Sequence, residues 1–123
     1  MRARPFVRRE GTGFSVRFVG AQRDLLGEVL PWLTHRREGE PALTVRAGCG
    51  KERLEQLSAT LQGAETVVLS AEDLHILHSV LLSAYSMFAS DEAFHVQLGF
   101  FRENALALAQ GLALAVEDAA SQD

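Results

Sequence analysis

The sequence predicts an α+β fold in the order β-β-α-β-α-β-α-α, with a four-stranded, partly antiparallel sheet and its helices mainly on one face. Three observations lead there. Phe14, Val16 and Phe18 alternate with Ser15 and Arg17, the period-2 pattern of a strand with one buried face. From Ala21 the apolar period changes, with Leu25, Leu26, Val29, Leu30 and Leu33 at the spacing of an amphipathic helix. Short β-branched segments at 42–47 and 65–69 each lead into a further helical pattern.

Taken in order, Phe6-Val7 and its charged followers, the "GTG" at 11–13 and the Phe14 to Phe18 alternation predict a β-hairpin. The helix from Ala21 contains Pro31, whose ring collides with the carbonyl of Gly27, so a kink or an end near Leu30 is expected. "THRREGEP" is a loop, "ALTVRA" at 42–47 a short strand, and Lys51 to Leu61 a helix with Leu54, Leu57 and Leu61 on one stripe. "GAETVVLS" supplies a strand over about 65–69. Ser70 with Asp73 three residues on forms a capping box that opens a long helix from Ala71 to about Phe88. Its buried stripe is predicted as Leu74, Leu77, Leu81, Ala84 and Phe88. Ser90 caps the next helix, which breaks at Gly99 and restarts at Phe100 to run to about Glu117. Residues 1–4 and 118–123 are expected to fray. At an offset of 51, Val16, Phe18, Leu25, Leu26, Val29 and Leu30 align with Val67, Leu69, Ile76, Leu77, Val80 and Leu81, two strand-helix units with matching apolar positions.

A chain of 123 residues, 47 % hydrophobic and 23 % charged, fits a single domain, 1–123, around one core. One cysteine excludes an intrachain disulfide and a cysteine-built zinc site. No start combines basic residues, a long apolar run and a small-residue cleavage site, so a cytoplasmic location is expected. No apolar tract reaches the roughly 20 residues of a bilayer span, and no membrane partner is expected. Eleven of the twelve cations lie in residues 1–62, which are net +4, whereas residues 63–123 hold only Arg102 and are net −8. In a chain of net charge −4, nucleic-acid binding is not expected from this asymmetry. It predicts instead that the two halves attract each other, within one chain or across a dimer.

Three leads concern function. In "VRAGCGKERLEQL", Arg46, Gly48, Cys49, Gly50 and Lys51 lie where a predicted strand enters a helix, so free backbone N–H groups and the lysine could hold an anion. Val45 and Glu52 stand where a P-loop needs glycine and serine or threonine, which excludes that motif. Arg46-Ala47-Gly48-Cys49-Gly50 resembles the acyl-CoA-binding turn of the N-acetyltransferase superfamily but is one residue short of that pattern, and no family is assigned from it. Cys49, at a helix N-terminus beside Lys51, would have its thiolate favoured. The second lead is Glu72, His75 and His78, spaced by threes on the long helix, a Glu-x-x-His arrangement that could ligate a metal. No cofactor is expected, although a metal at His75 and His78 stays open. The third is apolar. Leu106, Ala113 and Leu114 lie off the Phe101, Leu108, Leu112 and Val116 stripe of the last helix and predict a homodimer face.

The reading that follows is a homodimeric, non-enzymatic interaction or regulatory domain with an acidic helical half. The alternative is an anion- or small-ligand-binding domain, an enzyme among its possibilities, that uses the Gly48 to Lys51 loop.

Overall fold

A computed structural model describes residues 4–121. Two strands, β1 (Phe6–Glu10) and β2 (Gly13–Arg17), form a hairpin around Gly11, whose φ of 59° is a left-handed conformation that favours glycine. The helices α1 (Gly20–Thr34), α2 (Glu40–Ala47) and α3 (Lys51–Gly63) follow. Then come β3 (Thr66–Leu69), α4 (Ala71–Met87), α5 (Asp91–Leu98) and α6 (Arg102–Ala120).

The fold is therefore mixed α+β, as predicted, but among the described residues its sheet has three strands in the order β1-β2-β3, antiparallel throughout. The missing fourth strand is α2. Thr44 and Val45 suggested a strand, yet only Leu43 and Ala47 of this segment are buried, four residues apart, and Val45 is 86 % exposed. That is a helical period. Pro41 in the first turn, Arg46 in the last and Gly48 in a left-handed cap at φ 83° complete the helix signature. With two buried side chains against eight residues fixed, capping decided the conformation and β propensity did not.

Three smaller expectations are also corrected. Helix α1 does not end at Leu30 but continues through Pro31 to Thr34. Leu33 and Thr34 are buried in its final turn, and the Thr34 hydroxyl donates to the Leu30 carbonyl at 2.6 Å. Helix α6 runs past Glu117 to Ala120, where Arg4 pairs with Asp118 and Arg9 donates to the Ala120 carbonyl, so 118–120 are helical. The expected fraying of 1–3 and 122–123 lies outside the described residues. Phe101 does not join the buried stripe of the last helix: it occupies the extended N-cap of α6, outside the helical period, and is 59 % exposed.

Elsewhere the patterns hold. Ser70 and Asp73 form the reciprocal capping box at 3.0 Å in both directions. Ser90 accepts from the Ala93 amide, and Gly99, at φ 78°, closes α5. All twelve residues paired by the offset of 51 are buried. They belong to one core cluster that joins Phe14, Val16, Val67 and Leu69 on one sheet face to α4 and α6, with α1 packed on α4. Trp32 and Phe88 pack on its margin, stacked at 4.8 Å between centroids, with Phe94 edge-on to Phe88.

Candidate functional site

The turn between α2 and α3 joins the first two leads. Because α2 is a helix, Gly48 and Cys49 lie between two helix ends. Gly48 donates its N–H back to the Thr44 carbonyl at 2.8 Å, and Gly50 is the N-cap of α3. Neither glycine offers a side chain to cap α3. The cap comes from eleven residues back: Glu40, in the first turn of α2, accepts the Lys51 N–H at 2.9 Å. A carboxylate at this helix N-terminus satisfies one of the amides left without an intrahelical partner and meets the positive end of the dipole. The glycine at position 50 makes room for it, since a Cβ there would stand 2.5 Å from Oε2 of Glu40. At the helix N-terminus where the sequence suggests an external anion, the group in place is the chain's own Glu40 carboxylate.

Helix α4 borders this turn. A Cβ on Gly48 would lie 4.0 Å from Cδ2 of His75, and the Ser83 hydroxyl donates to the Arg46 carbonyl at 2.8 Å. Arg53 of α3 pairs with Asp73 in the first turn of α4. So the loop and His75, far apart in sequence, share one junction. Within it Cys49 is half-buried, and burial pushes its thiol above its ordinary value. The Arg53 guanidinium pulls the other way, while Glu40 and Glu72 add to the rise. The activated thiolate expected beside Lys51 is not what the surroundings favour: desolvation and two carboxylates outweigh one cation.

On α4, Glu72 and His75 are exposed and His78 is half-buried. Burial, and then the neighbouring His75, lower the His78 pKa. Among the described residues no group of three or more His, Cys, Asp or Glu side chains is arranged to hold a metal.

Sequence reasoning did not find the cleft on the other side of Glu40. There the α1–α2 connection, α2 and the start of α3 enclose about 260 Å³. Leu33, Ala42 and Leu43 give it an apolar floor, and His35, Arg36, Glu38, Glu40, Arg46 and Lys51 are at its walls. Arg36 grips Glu38 through two hydrogen bonds, at 3.1 and 2.5 Å, and holds that carboxyl below the usual carboxylate range. The same guanidinium lies over the Trp32 ring at 4.7 Å. A strand over 42–47 would hide this cleft, because it would carry Arg46 away from it. Read as a helix, 40–47 puts Arg46 in the last turn of α2, next to the connection that carries Arg36 and Glu38.

A second unassigned surface is the sheet face turned away from the core. Its rows are Phe6, Arg17 and Thr66, then Arg8, Ser15 and Val68. Phe6 and Val68 are exposed, Val68 by 59 %, and the Arg17 guanidinium lies 4.3 Å from the Phe6 ring centroid with Glu65 at 4.0 Å. A shallow groove crosses it, lined by Phe6, Arg8, Ser15, Arg17 and Thr66 among others. The patch expected on α6 is narrower than its sequence suggested. Leu106 is half-buried, whereas Ala113 and Leu114 are exposed, with Gln110 and Glu117 a turn to either side.

No protein family, curated protein or solved structure matches this chain at a significant level. No helix among the described residues is long and apolar enough to cross a membrane.

Proposed function

We propose that this chain is a homodimeric interaction domain whose two copies meet through the outer face of the sheet, leaving the acidic helical half free for a further protein. One observation carries the reading: the rows of β1, β2 and β3 that face away from the core combine exposed Phe6 and Val68 with both signs of charge, Arg8 and Arg17 against Glu10, with Glu65 just before β3 beside Arg17. A two-fold interface brings one patch against itself, so it needs an apolar centre and charges that can pair with their opposites on the same patch. This face has both. Its edge strand β3, "TVVL", also lacks the lysine, proline or inward charge that keeps a bare edge from pairing. The expected patch on α6 offers two outward apolar side chains between polar neighbours, and it serves better as a partner surface than as the dimer core.

Sedimentation velocity over a concentration series tests the proposal. The wild type should sediment as a dimer, and Val68→Glu, which alters an exposed side chain and leaves the core intact, should shift it to monomer with unchanged circular dichroism. Leu114→Glu should leave the dimer whole. A wild type that stays monomeric throughout, or a dimer broken by Leu114→Glu and indifferent to Val68→Glu, overturns it.

A further inference from the structure

The cleft of about 260 Å³ between the α1–α2 connection, α2 and α3 has a charge arrangement that its own residues do not neutralise. Both of its carboxylates are committed. Glu38 holds Arg36 and Glu40 caps α3. Among the described residues the side chains of Arg46 and Lys51 make no hydrogen bond or ion pair, although both line the cleft. Three cations therefore stand against two carboxylates, with an apolar floor of Leu33, Ala42 and Leu43 beneath them.

From this we propose that the cleft binds a small monocarboxylate with a short aliphatic body, its carboxylate between Arg46 and Lys51 and its alkyl part on Leu33 and Leu43. The single surplus positive charge selects one negative charge. A phosphate or dicarboxylate dianion would bring its second charge close to Glu38 and Glu40, which cannot leave without freeing Arg36 and uncapping α3. Guanidinium groups match the planar carboxylate through paired hydrogen bonds. A volume below the roughly 300–1,000 Å³ of drug-sized sites fits a body of few carbons. The α3 N-terminus itself takes no part, because Glu40 already occupies it.

Isovalerate is the probe, titrated into the isotopically labelled full chain and followed by amide chemical shifts. Saturable shifts confined to residues 33–51 are expected. Arg46→Gln and Lys51→Gln should each weaken binding about tenfold, the loss of one charge-assisted hydrogen bond. Both positions are solvent-exposed, and each variant's own amide spectrum verifies its fold. Isovaleramide, of the same shape and uncharged, should give no saturable shifts. The proposal is overturned if isovalerate produces no saturable shift in this region, if the amide binds equally well, if both glutamine variants bind like wild type, or if succinate or inorganic phosphate binds more tightly.

Discussion

The capping of α3 by Glu40 makes a sharp thermodynamic prediction, because the carboxylate and the missing side chain of Gly50 occupy one space. Glu40→Ala removes the acceptor of the Lys51 N–H and a negative charge at two helix N-termini. The lost cap is worth about 1 kcal/mol, and the charge adds about 0.5 kcal/mol at an exposed site. With a urea m-value of about 2 kcal/mol/M for a chain of this size, the midpoint should fall by about 0.7 M. Gly50→Ala places a Cβ 2.5 Å from Oε2 of Glu40, so it expels the carboxylate and loses the same contribution, with a further cost of about 0.5 kcal/mol for alanine as N-cap. The backbone at Gly50, with φ −87°, accepts alanine without strain. In the double variant nothing remains to expel. It should therefore be more stable than the sum of the single effects implies, by about 1.5 kcal/mol, the whole contribution that both single variants lose. Urea unfolding followed by circular dichroism gives all four corners of this cycle. A cycle that is additive within about 0.4 kcal/mol would refute the capping role of Glu40.

Four other outcomes follow from the same structure. Gly48→Ala, in the left-handed region at φ 83° with its nearest neighbour at an ordinary 4.0 Å, should cost about 1 kcal/mol in urea unfolding, all of it conformational. Leu77→Ala, fully buried where α4 meets the core, should cost about 2–5 kcal/mol and leave the chain close to unfolding at body temperature. His78 has a native pKa below 6.5, so the unfolded chain binds its proton first as pH falls. Stability should thus rise with pH from that lowered value up to just above 6.5, and His78→Gln should flatten this part of the profile, an effect a pH series of thermal melts would reveal. Cys49, with its thiol raised, should react with iodoacetamide at mildly alkaline pH more slowly in the native chain than in urea, and equal rates would contradict its desolvation.

How much of this could be read from the sequence depended on how many buried contacts each segment makes. Where many apolar side chains recur, as in α1, α4 and the β2–β3 pair, the period identified element and face together, and the twelve residues matched at an offset of 51 all reached the core. Where a segment buries two side chains, as α2 does, period carries little information and the ends decide. Pro41 and Gly48 were legible as helix boundaries, and β-branched Thr44 and Val45 drew the reading away from them. Pro31 shows the reverse conflict, with a local rule against helix overridden by the burial of Leu33 and Thr34 one turn later. The pairing of Glu40 with the α3 N-terminus could not be inferred at all while Glu40 belonged to a loop. Eleven residues separate it from Lys51, and only a helix followed by a tight glycine turn folds that distance back.

The same change of α2 from strand to helix alters what the glycine turn is for. As a strand-to-helix connection, Gly48 to Lys51 would present empty amides to solvent, and an external anion would be its natural occupant. As a helix-to-helix corner it already holds an anion, supplied in cis, and the two glycines have separate physical tasks: Gly48 adopts a conformation hostile to other residues, and Gly50 leaves room for a carboxylate. Glu40 then separates two environments. On the turn side its charge helps keep Cys49 protonated, and on the cleft side it is one of the two acids that leave Arg46 and Lys51 in excess by a single charge. Removing Glu40 should change both at once. In Glu40→Ala the thiol of Cys49 should become easier to alkylate, and the cleft, now carrying two surplus positive charges, should lose its preference for isovalerate over succinate. If alkylation quickens while the preference between the two acids stays as in wild type, Glu40 acts on the turn alone, and the selectivity of the cleft for one charge has another origin.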